Sequence, residues 1–161
     1  MLQIAAPLFE QNLAYARRLV ADLSDDQMTT QPVGTCVLNH AAFVIGHLAW
    51  VCDFGVTLLG EGAAVDPKWR DIFSLTAKPV SDRSVYLSKA VPVKAFEDAH
   101  IRLVTLALAA KPELLQQAPP ERFRNRFPML AHLMLHMLTN HEAVHLGQLS
   151  AWRRACGLPA V

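Results

Sequence analysis

Apolar residues recur every three or four positions in four separate stretches of the chain, and no stretch shows the alternating pattern of a strand. The stretches cover residues 4–23, about 40–58, 94–111 and about 127–156. This spacing aligns apolar side chains along one side of a helix, which must then be buried against a neighbouring helix. The sequence therefore predicts an all-α fold: a single four-helix-bundle domain spanning residues 1–161.

Two kinds of connection join the predicted helices. Turn-forming residues at 24–34 make a short link between the first two helices, which favours antiparallel neighbours, and Asn39 is the predicted N-cap of the second helix. Residues 61–92 contain three prolines and lose sustained periodicity. We therefore expect a long surface crossover between helices two and three, with a short helical turn near residues 69–75.

The charge balance argues against a general nucleic-acid-binding role. The net charge is +1, and such a chain has no overall field to attract polyanions. Arg122, Arg124 and Arg126 alternate with aromatic residues before the fourth helix, a pattern also found in proteins that bind single strands. We interpret these arginines as part of a solvated loop, in which one of them could contact a carboxylate of a ligand. A small-molecule substrate, not a nucleic acid, is the expected partner.

Cysteine usage and hydropathy predict a cytoplasmic protein. Cys36, Cys52 and Cys156 form an odd-numbered set without CxxC spacing, which fits a reducing compartment better than a disulfide framework. The N-terminus lacks the cationic start of a signal peptide, and no uninterrupted apolar run of about 18 residues occurs. We therefore expect neither a signal peptide nor a membrane-spanning segment.

The fourth predicted helix carries two histidine pairs with the spacing of metal ligands. His141 and His145 are four positions apart, as are His132 and His136, so each pair lies on one helix face. Nine residues separate the pairs, about 900° on a continuous helix, so the pairs are predicted to point in opposite directions. The apolar side chains predicted to share the face of His141 and His145 are Leu130, Met134, Met137, Leu138, Val144, Leu149 and Trp152. We expect His141 and His145 to face the core and bind a metal, and His132 and His136 to be solvated or at a subunit interface.

The segment from His141 to His145 reads HExxH, the motif in which a zinc peptidase carries two ligands and a general-base glutamate. Such enzymes need a third ligand further along the chain, but only Cys156 could serve after His145. The third ligand must therefore come from upstream. His47 lies among apolar residues of the second helix, and an antiparallel neighbour can bring it opposite the pair. His40, two helical turns before His47, is the alternative third ligand.

Three imidazole ligands and one open position define this predicted site. Imidazole ligands suit zinc, nickel, iron or copper, and we expect zinc or nickel. Glu142, about 100° from His141, is a weak candidate general base, although a surface charge or an ion pair is the more expected role. Gln148 lies near the His141 side of the helix, where it could orient a ligand. His100 has no paired neighbour and is expected to be hydrogen-bonded or exposed.

Two segments of the chain resemble the DinB-like superfamily: GHLAW at residues 46–50, and NHEAVHLGQLSAWRR at 140–154, which GLP follows at 157–159. The resemblance covers essentially the whole chain. It implies a four-helix bundle in up-down-down-up order with a long crossover between helices two and three. It also implies a metal held by one histidine of the second helix and an i, i+4 pair of the last, which by position are His47, His141 and His145.

The resemblance also implies a range of activities. The family includes thiol-dependent transferases that use bacillithiol or mycothiol, a mycothiol-dependent maleylpyruvate isomerase and many proteins without an assigned function. We therefore expect a metal-dependent transferase or isomerase that uses a low-molecular-weight thiol on a small electrophilic substrate. A metal-binding stress-response module without catalysis and a metal-dependent hydrolase are the alternatives. Because members of the family often form homodimers, a homodimer is expected.

Overall fold

The structure is a computed structural model that describes residues 2–32, 34 and 37–161, so Cys36, considered above, lies outside the described residues. The described residues contain no strand, which confirms the predicted all-α class. The α-helices are α1 (Leu2–Ala21), α2 (Ala41–Leu58), α3 (Trp69–Phe73), α4 (Ala90–Ala109), α5 (Pro112–Leu115), α6 (Glu121–Arg124), α7 (Leu130–His136) and α8 (Glu142–Ala155). Short 3₁₀ turns occupy Gln27–Thr29 and Arg83–Val85, and a π-helical turn, Met137–His141, joins α7 to α8.

Within the described part of the chain, four long helical segments surround one core. Helix α1 packs against α4 and α8, and α2 packs against the same two helices. The backbone stays helical where α7 meets the π turn and where the π turn meets α8, so these three elements form one continuous segment. Fully buried side chains at the centre include Phe9, Leu19, Leu48, Leu103, Leu138 and Leu149. The up-down-down-up order of the helices stays a prediction.

Helix α2 supplies much of the core. Its 18 residues, Ala41–Leu58, have a mean hydropathy of 1.6, which by length and composition would be enough to cross a membrane. However, 72% of this segment is buried inside the protein, and the polar residues His47 and Asp53 are among the buried ones. A core helix that is covered on most sides is expected to be this apolar. The burial of α2 therefore explains its composition.

The N-cap of α2 is His40, not Asn39 as predicted. Its Nδ1 atom accepts a hydrogen bond of 3.3 Å from the backbone N–H of Phe43. Its Nε2 atom donates to the carbonyl oxygen of Val80 in the crossover, at 2.9 Å. The side chain is fully buried. Both ring nitrogens of His40 are thus engaged in holding the start of α2 and the crossover together.

Two of the predicted helix starts were wrong at positions where a proline lies nearby. Helix α4 begins at Ala90 instead of residue 94, since Pro92 lies in the first helical turn, where a missing backbone N–H costs no hydrogen bond. The last helical segment begins at Leu130 instead of about 127, because the residue before Pro128 is biased towards extended backbone. The short helix predicted near residues 69–75 is present as α3.

The π turn widens the last helical segment just before the HExxH sequence. Such a turn interrupts the regular helical hydrogen-bond pattern and leaves carbonyl oxygens that need other donors. The side-chain amide of Asn12, on α1, donates to the carbonyl oxygen of Leu138 at 3.1 Å and lies 3.4 Å from that of Thr139. The hydroxyl of Thr139 donates to the carbonyl oxygen of Leu135 at 2.6 Å. Contacts with α1 therefore stabilise this turn.

Helix α3 packs directly on α2 at Gly46. The ring of Phe73, which is fully buried, occupies the space where a side chain at Gly46 would lie. Rings of Phe43, Trp69 and Tyr86 surround that of Phe73, with centroid separations of 6.4, 5.1 and 6.1 Å. Glycine at this position allows α3 to approach α2 and brings the backbone of Phe73 next to His47.

Gly46→Ala is expected to destabilise the protein, because the new methyl group overlaps the Phe73 ring. We expect a loss of about 1–3 kcal/mol from overpacking, reduced by the better helix propensity of alanine. Gly147→Ala is the matched control, since a Cβ atom at Gly147 in α8 meets nothing within 4 Å, and it should be neutral or stabilising by up to about 1 kcal/mol. Urea denaturation of the two variants measures the difference, and equal stabilities would contradict this account of the α2–α3 packing.

Candidate metal centre

Three histidine side chains converge between α2 and the last helical segment. His47 comes from α2, His141 ends the π turn and His145 lies in the first turn of α8. One ring nitrogen of each lies within 4.8 Å of the other two. The Nε2 atoms of His47 and His141 are 3.3 Å apart, which is the separation of two nitrogens that each lie about 2.0–2.1 Å from one tetrahedral ion. The donor set therefore fits a divalent metal.

Hydrogen bonds orient two of the three rings. The Nδ1–H of His47 donates to the carbonyl oxygen of Phe73 at 2.7 Å, and the Nδ1–H of His145 donates to Oε1 of Gln148 at 3.0 Å. The same Gln148 oxygen accepts from the side-chain amide of Asn39 at 3.1 Å. In each ring the proton is thereby fixed on Nδ1, and the lone pair of Nε2 is left for a metal. Gln148 therefore orients a candidate ligand, as the helical spacing suggested.

His141 has a different environment. Its Nδ1 atom is buried and has no hydrogen-bond partner among the described residues, whereas its Nε2 atom faces that of His47. Nε2 is therefore the candidate ligand atom of His141. Nδ1 lies outside the ligand set, so no hydrogen bond from the described residues orients this ring as in His47 and His145.

Burial keeps the three imidazoles neutral. It lowers the pKa of His141 to about 3, with smaller effects from the nearby His145, His47, His136 and Arg126. It also lowers the pKa of His145 to about 4, with His47 as a second cause, and it lowers the pKa of His47 itself. A histidine must be neutral to bind a metal. At neutral pH no proton competes for these lone pairs.

The same shifts predict how the stability of the metal-free protein depends on pH. Unfolding restores the ordinary histidine pKa of 6.5, so below that pH the unfolded chain binds protons that folded His141 and His145 do not. Their contribution to stability is therefore full above pH 6.5 and falls towards pH 4. Urea denaturation in a chelator should show a smaller loss of stability over this range for a His141→Asn, His145→Asn variant. Equal losses in the variant and the wild type would contradict these pKa shifts.

The predicted opposition of the two histidine pairs is wrong for His136. Its ring centroid lies 6.1 Å from that of His141 and 4.9 Å from that of Phe127, and the side chain is half-buried. The prediction assumed a regular α-helix, but the π turn between the pairs changes the angle between them. His132 is also half-buried, and Val144, predicted to face the core, is 58% exposed.

The arginine-rich segment before the last helix is exposed, as predicted. The guanidinium of Arg122 lies over the rings of Phe54 and Phe123, at 5.0 and 4.7 Å from their centroids. That of Arg126 lies 5.2 Å from the centroid of Phe127, the ring that contacts His136. Aromatic packing therefore places Arg126 on the side of the site where His136 and His141 lie.

A second polar cluster lies next to the three histidines. Glu142, for which a surface charge or an ion pair was expected, is fully buried. Its Oε1 atom accepts hydrogen bonds from Nδ1 of His100 at 2.8 Å and from Sγ of Cys52 at 3.5 Å. These three residues could also hold a divalent metal. Burial, together with the nearby carboxylate of Glu142, raises the pKa of the Cys52 thiol well above its usual range. The position of Glu142 on its helix predicts that the side chain faces a neighbouring helix. No sequence pattern links it to His100 or Cys52.

Comparison with known families agrees with this arrangement. A protein-family model for the DinB superfamily matches residues 8–149. A search of curated proteins finds no match, and a search of solved structures finds none. The matched region contains α2, with His47, and the HExxH sequence that carries the other two histidines. The expected family is thereby confirmed, and the chain belongs to the DinB superfamily.

Proposed function

We propose that this protein is a metal-dependent enzyme that uses a low-molecular-weight thiol to modify a small electrophilic molecule. The observation that carries the proposal is the convergence of three neutral imidazoles, from His47, His141 and His145, with ligand nitrogens within 4.8 Å of one another. In this proposal the three residues hold one divalent ion, and zinc or nickel suits the donor set.

The surrounding residues keep the three rings ready to bind. The carbonyl oxygen of Phe73 and the amide oxygen of Gln148 fix the orientation of His47 and His145. The stacked ring of Phe43, 6.1 Å from that of His47 and nearly parallel to it, limits rotation of the His47 ring. Preorganised ligands lose little conformational freedom on binding, which raises affinity.

The chemistry follows from the charge of the donor set. Three neutral imidazoles contribute no negative charge, so a divalent ion held by them would retain its positive charge and lower the pKa of a thiol bound beside it. In the proposed reaction the thiol gives its proton to water and its sulfur forms a bond to the electrophilic carbon. The bond from that carbon to a leaving group breaks, and the leaving group departs with the electron pair. Arg126 offers a positive charge on the His141 side for a carboxylate of the thiol or the substrate.

The activity test uses the metal-loaded protein, a model electrophile, and bacillithiol, mycothiol or glutathione in separate assays. We expect conjugation with at least one thiol and a loss of more than about 100-fold in rate for His141→Ala, since even an outer hydrogen-bond partner of a ligand contributes about 10- to 100-fold. His132→Ala is the matched control from the same helical segment and should keep the wild-type rate. A rate that His141→Ala leaves unchanged would exclude the proposed role of the metal.

Two other results would favour the alternative functions. Hydrolysis of an ester or amide without any added thiol would indicate a metal-dependent hydrolase. Tight metal binding without either reaction would favour a binding or stress-response module. The proposed thiol chemistry also fits a reducing cytoplasm, where small thiols stay reduced.

We also propose a homodimer. Exposed apolar side chains on the crossover and the start of α4 offer a surface for it: Leu75, Val80, Val85, Leu87 and Val91. Light scattering during size-exclusion chromatography measures the mass directly.

A further inference from the structure

Three different metal-binding groups meet in the interior beside the three histidines. Cys52 comes from α2, His100 from α4 and Glu142 from the start of α8. Their exposed fractions are 2%, 2% and 0%. One ligand atom of each lies within 4.8 Å of the other two. Three long helical segments therefore contribute one donor each to a single buried point.

One atom of this cluster that could bind a metal, an oxygen of Glu142, takes part in no hydrogen bond with the described residues. His100 and Cys52 both bond to Oε1 of Glu142, while Oε2 of Glu142 is buried and has no hydrogen-bond partner among the described residues. A buried carboxylate oxygen without a partner is costly in a purely structural pair. If both carboxylate oxygens are counted, the cluster offers four atoms that could bind a metal: one sulfur, one nitrogen and two oxygens. Four donors are the number that a structural zinc ion takes.

The charges of the cluster also suit an ion in an apolar interior. Binding of the ion would displace the thiol proton of Cys52 to water. The resulting thiolate and the carboxylate of Glu142 would contribute two negative charges, which balance a divalent cation, and a neutral imidazole adds none. The bound site would then carry no net charge, so burial would not penalise it as it penalises an isolated ion. The three-histidine centre has no negatively charged protein ligand and needs an external anion. With a divalent ion bound, the second cluster would therefore carry no net charge, whereas the three-histidine cluster would keep the positive charge of the ion.

We propose that Cys52, His100 and Glu142 form a second divalent-metal site, distinct from the three-histidine centre and structural in role. Glu142 follows His141 directly in the chain, so an ion in this site ties α2 and α4 to the residue next to a ligand of the first centre. The second site thereby holds the last helical segment in the orientation that His141 and His145 need. The proposal does not depend on any enzymatic activity.

Cobalt is the probe, because a thiolate bound to Co²⁺ absorbs strongly in the near-ultraviolet and an imidazole-only site does not. Metal-free protein without a histidine tag is titrated with Co²⁺ while absorbance and bound cobalt are measured. We expect two equivalents of cobalt per chain and a thiolate band in the wild type. Cobalt binding that saturates without a thiolate band would overturn the proposal, and this measurement on the wild type needs no variant to fold.

Four variants identify the cysteine that gives rise to the thiolate absorption band. Cys52→Ser should abolish it and lower the bound cobalt by one equivalent, whereas Cys36→Ser and Cys156→Ser should leave both unchanged. His145→Ala should lower the bound cobalt by one equivalent and keep the band, since it alters only the first centre. A band that survives Cys52→Ser would show that another cysteine binds the ion and would overturn the assignment. Loss of the first centre alone leaves the band intact, so failure of the proposed function and failure of this proposal give different results.

Discussion

His47→Ala is expected to lower the affinity of the protein for zinc by more than about 100-fold, because it removes one of three direct ligands and even an outer hydrogen-bond partner contributes about 10- to 100-fold. His47 is the ligand that α2 contributes, opposite the pair on the last helical segment. Without it, only His141 and His145 remain. Two imidazoles on one helix are a common but weak metal-binding arrangement.

Zinc competition with a chromophoric chelator measures this loss. The His47→Ala variant should lose one equivalent of tightly bound zinc per chain, and His132→Ala should retain it. Circular dichroism checks that the helices of both variants form. If His47→Ala kept the full complement of tightly bound zinc, the third ligand would have to come from elsewhere. His40 is a poor substitute, because its two ring nitrogens are bonded to Phe43 and Val80.

His100→Leu is expected to lower the free energy of unfolding of the metal-free protein by at least about 1–3 kcal/mol, the usual cost of leaving a buried hydrogen-bonding group without its partner. Glu142 is fully buried and its shortest hydrogen bond is to His100, at 2.8 Å. Leucine has a similar size but cannot donate to the carboxylate. The lost stability therefore comes from burying the carboxylate of Glu142 without its hydrogen-bond donor, and not from a cavity.

The double variant His100→Leu, Glu142→Met separates these two causes. Replacing both partners of a buried pair with apolar residues is often neutral or stabilising by about 1–4 kcal/mol, so the double variant should recover most of the stability that the single variant loses. Urea denaturation in the presence of a chelator measures both. A single variant within about 1 kcal/mol of the wild type would show that the pair contributes little.

The elements and the three candidate ligands could be predicted because they depend on local spacing. The helical period places His141 and His145 on one face whatever surrounds them, and the apolar neighbours of His47 indicate that it faces inward. No histidine follows His145 in the sequence, which leaves α2 as the source of the third ligand. Each of these features belongs to one helix and does not depend on how the helices pack.

The π turn, the role of His40 and the partners of Glu142 could not be predicted, because each depends on contacts between distant segments. The π turn is stabilised by Asn12 from α1, and nothing in the local pattern of Met137–His141 marks it. His40 caps α2 and also bonds to the crossover. Glu142 meets His100 because α8 and α4 both pack against α1 and α2, which brings the two side chains together in the core.

The most direct test of the proposed centre is the position of the ion itself. Crystals of the zinc-loaded protein, measured at the zinc absorption edge, should give an anomalous peak about 2.0–2.1 Å from the Nε2 atoms of His47, His141 and His145. A zinc-loaded crystal with no peak between these rings, or with the ring of His47 turned away from the ion, would contradict the account.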